Sequence, residues 1–144
     1  MKSYIIDTGN PDQQLIMSNI IVSYEDFKSG NPYNTTFNVS VISGNYSGIS
    51  EFEYNIEDFV RFVKEIKDLY DFKTKTVELN DICYGSGVKF CLDKTGHVTV
   101  SGRLYGIAME HSITFTFITD QTALEAFSIQ LYNDFVIKKV QEFN

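Results

Sequence analysis

The side chains best equipped for chemistry in this 144-residue chain are two histidines, two cysteines and nineteen carboxylates, and their spacing limits what they can do together. His97 follows Asp93 by four residues and Cys91 by six. If that segment is a hairpin, Asp93 faces His97 and Cys91 lies two residues away on the same face, an Asp–His–Cys grouping of the kind that activates a nucleophile. All three would sit on an exposed strand face beside a tight turn, with no pocket implied, so a surface ion pair is expected there. His111 reads as a loop residue. No His or Cys pair has the spacing of metal ligands. Cys83 and Cys91 make no disulfide framework and are expected to be free thiols of a reducing compartment. Asp7-Thr8-Gly9 matches the aspartic-protease triplet but stands alone near the N-terminus, and reads as a turn. Gly85-Ser86-Gly87 is not followed by the lysine and helix of a phosphate loop and reads as a turn before a strand. The expectation is a protein that is not an enzyme and that needs no metal or cofactor.

The carboxylates are unevenly spread. Net charge is −7, and residues 1–60 carry eight acids against only Lys2 and Lys28, whereas residues 61–144 carry eleven acids and ten bases. An acidic surface repels phosphate backbones, and the aromatic residues do not alternate with basic ones as a base-stacking platform requires, so no nucleic-acid partner is expected. A basic protein partner suits this charge; simple solubility explains it equally well. Twelve Phe and nine Tyr without a Trp imply a core built largely from rings. No run of 18 apolar residues occurs, and residues 1–10 lack the apolar stretch of a signal peptide. The expectation is a soluble, cytoplasmic protein with no membrane association.

These residues are positioned by elements legible in the pattern of the chain. Leu15 to Tyr24 reads as a strand and Glu25 to Asn34 as a loop. Phe37, Val39 and Val41 alternate with polar residues and turn at Ser43-Gly44-Asn45. The next strand puts Tyr46, Gly48, Ser50, Phe52 and Tyr54 on one face and Ile49, Glu51 and Glu53 on the other. Asn55 caps a helix whose apolar stripe is Ile56, Phe59, Val60, Val63, Ile66 and Tyr70, widened by Phe62 and Leu69. On its polar face Glu57 is expected to pair with Arg61, Arg61 with Glu65, and Lys64 with Asp68. Val77 and Leu79 mark a short strand. Val88, Phe90 and Leu92 then share a face with Val98 and Val100, which predicts that Phe90 opposes Val100, Asp93 opposes His97, and Gly96 takes a left-handed conformation. After Gly102 the apolar phase shifts from even residues to Tyr105 and Ile107, which suggests a β-bulge. Ile113, Phe115 and Phe117 lead to Asp120, read as the N-cap of a last helix burying Leu124, Phe127, Leu131 and Phe135, with Lys138 and Lys139 near its C-terminus. The fold expected is α+β: one domain over 1–144, a mostly antiparallel sheet and a single layer of two helices in the order strands, helix, strands, helix.

This order resembles the WapI-type immunity proteins of bacterial polymorphic and contact-dependent toxin systems. The likeness rests on the turn glycine Gly96, the alternating strands after it, Asp120-Gln121-Thr122 followed by Leu124, the helix start Asp58-Phe59 with Phe62, and the pattern of Val77 and Leu79. It covers roughly residues 14 to 135. The tryptophan expected in the early strands is replaced by Tyr33 or Phe37. The resemblance implies a small cytoplasmic protein that binds and neutralises a cognate toxin domain by occlusion, with no catalysis of its own. If that toxin is a basic nuclease, the carboxylates expected to meet it are Glu51, Glu53, Glu57 and Asp58. A binding module in which Tyr46, Phe52 and Tyr54 line a pocket for a small molecule or peptide is the alternative, and a structural subunit of an assembly is a third.

Overall fold

In the computed structural model, which describes residues 2–139, the strands divide into two four-stranded antiparallel sheets. Met1 and residues 140–144 of the expected domain lie outside the described residues. The first sheet holds β1 (Ser3–Asp7), β2 (Gln13–Val22), β3 (Thr35–Ser43) and β4 (Tyr46–Tyr54), in that order. The second holds β5 (Thr76–Asn80), β6 (Gly87–Leu92), β7 (His97–Tyr105) and β8 (Ser112–Asp120), again in chain order. A short helix α1 (Tyr24–Lys28) lies between β2 and β3, α2 (Ile56–Tyr70) follows the first sheet and α3 (Glu125–Tyr132) follows the second. The α+β class and the antiparallel pairing are as the sequence predicts. The chain runs twice through one plan, four strands and a helix, without repeating a sequence.

The helices join the two halves. Phe59 of α2 lies 5.2 Å from the Phe37 ring of β3, and Phe62, one turn on, lies 6.2 Å from Phe90 of β6. Phe135, in the turn of π-helix that extends α3 (Asn133–Ile137), meets both Phe59 at 5.1 Å and Tyr4 of β1 at 6.1 Å. The buried side chains of both sheets and both helices form one continuous cluster. Burial of each such ring or branched aliphatic contributes about 1.5–3 kcal/mol, so this cluster dominates stability. Phe37 belongs to it, whereas Tyr33 is 46% exposed. Under the cluster's edge Asp134 accepts hydrogen bonds from Lys2 Nζ (2.5 Å) and Tyr4 Oη (2.6 Å). Burial pushes the Asp134 carboxyl up, but those hydrogen bonds and the charges of Lys2 and Lys138 outweigh it and hold it below the usual carboxylate value.

The β6–β7 hairpin has the predicted register: Phe90 opposes Val100, the Asp93 amide donates to the His97 carbonyl, and Gly96 has φ +88°. The bulge expected near Gly102 does not form. Pairing of β7 runs unbroken on both sides, and the even phase continues to buried Leu104. Tyr105 and Ile107 are apolar residues that leave the core face, not residues moved onto it. Gly102 serves close packing, because a Cβ there would lie 2.1 Å from the Gly87 carbonyl oxygen. The irregularity falls elsewhere, between Ser18 and Ile21 of β2, where Asn19 has φ +54°.

Three local expectations are corrected, and one strand is added. β1 precedes the first element read from the sequence; its Tyr4 and Ile6 alternate into the core while Ser3, Ile5 and Asp7 face outward. Part of the expected 25–34 loop is α1, started by Ser23, whose hydroxyl accepts from the Asp26 amide. On α2 the ion pairs are Asp58–Arg61 at 3.1 Å and Lys67–Asp71 at 2.6 Å, in place of the three anticipated. Asp120 ends β8 and makes no side-chain cap; the following residues, Gln121–Leu124, form a 3-10 turn, tied by Gln121 Nε2 to the Tyr70 carbonyl of α2 at 2.5 Å. Leu124, Phe127, Leu131 and Phe135 are buried as predicted.

Candidate functional site

The polar cluster at the hairpin tip is a turn. Asp93 Oδ1 accepts from the Thr95 amide at 2.8 Å, the Thr95 hydroxyl at 2.7 Å and the His97 amide at 3.0 Å. The hydroxyl of Thr95 and the amide of His97 hold the Asp93 carboxyl below its usual value. His97 is exposed, 3.6 Å from Asp93 and 3.8 Å from Asp120. Asp7-Thr8-Gly9 is likewise a turn, with the Gly9 amide donating to Asp7 Oδ1. Among the described residues no group of three His, Cys, Asp or Glu side chains is disposed to hold a metal, and no helix is long and apolar enough to cross a membrane.

The four carboxylates singled out by the sequence are divided between two depressions. Glu51 and Glu53, on the outer face of β4, line a groove of about 410 Å³. Asp58 lines a smaller one of about 230 Å³ with Arg61, Glu65 and Glu78. Glu57 is exposed in the first turn of α2, its amide held by Asn55 Oδ1 at 2.8 Å. Between the two depressions runs the 81–86 connection, which contributes Ile82 to the smaller and Tyr84 to the larger.

Asp81 anchors that connection. Its buried carboxylate accepts the amides of Glu53 (2.8 Å), Tyr84 (2.8 Å) and Cys83 (3.3 Å), and the Ile82 amide donates to the Glu53 carbonyl at 3.3 Å. Beneath the larger groove the hydroxyls of Ser50 and Ser86 meet at 2.9 Å, and Ser86 accepts the Tyr105 amide at 3.0 Å, so β4 and β7 are locked together at its floor. The far wall is Tyr105 to Ala108. Here Ile107 is 91% exposed, and Ala108 and Met109 both have positive φ, a conformation that costs non-glycine residues about 1 kcal/mol or more each. Ile49 and Tyr84, each 58% exposed, complete an apolar rim around the two glutamates, and among the described residues no lysine or arginine lines the groove.

Cys83 is part of this edge. Its thiol donates to Glu53 Oε2 at 2.7 Å, and this hydrogen bond, with smaller effects of burial and of the Glu53 and Asp81 charges, pushes the thiol up to about 11. Only the thiolate reacts, so alkylation should be slow. With Cys91 replaced by serine, Cys83 should react with iodoacetamide at about pH 8 roughly ten-fold or more slower than free cysteine. Glu53→Gln should restore most of that rate. Equal rates in both proteins would refute the role given to Glu53.

Tyr54 is the second perturbed group. Its hydroxyl accepts the Asn80 amide at 2.8 Å, which ties the end of β4 to the edge of β5. Burial pushes the phenol up to about 12; the Asn80 hydrogen bond lowers it, and the carboxylates of Asp58, Asp81 and Glu65 add to the rise. The phenol is neutral in folded and unfolded chains below about pH 10, and above that the unfolded chain ionises first. Stability should therefore fall between about pH 10 and pH 12, and Tyr54→Phe should flatten that part of the profile while costing about 1 kcal/mol at neutral pH. Denaturant titrations across that range test both.

The pocket suggested for Tyr46, Phe52 and Tyr54 does not exist as such. Phe52 is fully buried 5.4 Å from Phe37, Tyr54 packs on Phe37 and Phe59, and Tyr46 is 74% exposed at the other end of β4. Tyr54 lines the smaller depression, and neither Tyr46 nor Phe52 lines it with Tyr54. The site residues that sequence reasoning missed are Asp81, Tyr84 and Ile107. Asp81 and Tyr84 sit in a short connection without periodicity, whereas the phase shift at Tyr105 and Ile107 was a usable signal of apolar side chains with no core face to join.

No family model and no curated protein matches the chain. Among solved structures, a chain of the Trypanosoma bruciei MRP1/MRP2 crystal structures is similar over 92% of this chain and 83% of its own length, at 8% identity and a TM-score of 0.49. A likeness at that level supports no statement about function.

Proposed function

We propose that this protein binds and occludes a basic protein, in the manner of an immunity protein that neutralises a cognate toxin domain, and performs no chemistry of its own. The observation that carries the reading is the groove along β4, where Glu51 and Glu53 lie among the exposed side chains of Ile49, Tyr84 and Ile107 with no basic side chain among the described residues of its lining. Aromatic and aliphatic side chains supply contact area, and carboxylates that form no ion pair steer and orient a partner of opposite charge. The family resemblance and the acidic charge of residues 1–60 point the same way. The test is copurification with the C-terminal domain encoded immediately upstream of this gene, joined to a toxicity-rescue assay. Tight binding with rescue is the expected result; neither binding nor rescue would end the reading. Reversal of both charges, Glu51→Lys with Glu53→Lys, should weaken that complex about 10- to 100-fold, or about 1.4–2.8 kcal/mol, and leave the circular dichroism spectrum unchanged. An unchanged affinity would remove these two carboxylates from the interface.

A further inference from the structure

The groove is bounded by a sheet edge. β4 is the last strand of its sheet and, among the described residues, pairs only with β3. In an antiparallel ladder, alternate residues direct both main-chain groups to the neighbouring strand and the others direct both away from it. Glu53 belongs to the second set, since its amide donates to Asp81 and its carbonyl accepts from Ile82. Glu51 and Ile49, two and four residues earlier, therefore point their amides and carbonyls the same way, into the groove. Among the described residues no hydrogen bond from another element reaches the main chain of either one. The 81–86 connection thus covers the end of the β4 edge at Glu53 and leaves the stretch before it open. An open edge is a template for an added strand unless something covers it.

We propose that this open edge takes up an extended segment of the partner protein as a fifth strand of the first sheet, and that the segment alternates basic with apolar side chains. Main-chain pairing to Ile49 and Glu51 supplies the docking, and the side chains flanking the edge supply the selection, as in other recognition by strand addition. On the outer face the neighbours of the incoming strand are Ile49, Glu51 and Glu53, which suit lysine or arginine with an aliphatic stem. Tyr84, Tyr105 and Ile107 offer apolar contact across the groove. This deepens the function proposed above and rests on it for the identity of the partner.

The probe is a labelled octapeptide of alternating lysine and valine, titrated to millimolar concentration into the intact protein and followed by amide hydrogen exchange. Saturable binding should slow exchange at Ile49 and Glu51 at least ten-fold while the amides of β1 are unchanged. The counterpart with glutamate in place of lysine should bind at least ten-fold more weakly. So should the lysine peptide methylated on every second backbone nitrogen, in whichever of its two registers blocks pairing. Ile49→Pro, which removes an edge donor without touching the β3–β4 ladder, should weaken binding about ten-fold. Binding without protection of Ile49 and Glu51, or no binding at all, overturns strand addition. So does protection that appears without peptide as protein concentration rises, since a second copy would then be the occupant. If the upstream toxin domain is bound and neutralised but tolerates Ile49→Pro with no loss of affinity, strand addition fails and the immunity reading stands. If that domain is not bound while the peptide is, the immunity reading fails and the edge remains a peptide site.

Discussion

Replacing Phe59 with alanine should cost about 3–5 kcal/mol, the range for removing a fully buried ring and a large fraction of the stability of a domain this size. Phe59 is completely buried and touches rings from three directions: Phe37 and Tyr54 of the first sheet, Phe62 of its own helix, and Phe135 beyond α3. No neighbour can collapse into the space without leaving its own contacts. Phe59→Leu keeps most of the volume and should cost less, about 1–2 kcal/mol. Urea denaturation of the three proteins separates the cases. A loss below 1 kcal/mol for the alanine variant would mean that the two halves of the chain are held together elsewhere.

Asp81→Ala should be the most damaging polar substitution, at about 3 kcal/mol, because it withdraws one carboxylate from three backbone amides. The Glu53 amide would lose its acceptor at the edge of β4, and the 81–86 connection would lose its anchor. Two further effects should follow from that release. Cys83 would leave Glu53 and alkylate faster at about pH 8, and Tyr84 would no longer hold one wall of the groove. Asp81→Asn retains one acceptor oxygen and should show about half the loss. If Asp81→Ala unfolds at the same urea concentration as the parent and Cys83 stays slow to react, the connection is held by other contacts.

Much of the fold was legible in the residues, and what was legible was local. The α2 stripe from Ile56 to Leu69 and the β6–β7 register follow from periodicities of 3.6 and 2, which need only neighbouring residues to set them. The Asn55 cap and the left-handed Gly96 follow from the chemistry of single side chains. β1 was missed because only Tyr4 and Ile6 face the core, too few to stand out from a polar terminus. The bulge assigned near Gly102 came from treating every apolar residue as core; Ile107 is apolar and lies at the surface.

The candidate site was legible in part. Alternation placed Glu51 and Glu53 together on the outer face of β4, and the structure keeps them together at one groove. Grouping Glu57 and Asp58 with them required knowing that no segment intervenes, and the connection anchored by Asp81 does intervene. By itself the sequence determined most of the longer elements and their inward faces, the acidic character of the first half and the absence of a recognisable catalytic motif, since these depend on residue type and short spacing. The tertiary structure alone decided that the strands split into two sheets, that α2 and α3 join them, and that β4 has an open edge between Glu51, Ile49 and the Tyr105–Ala108 wall. Those features depend on which distant segments share hydrogen bonds, and pairing across such distances is set by the packing of the whole core.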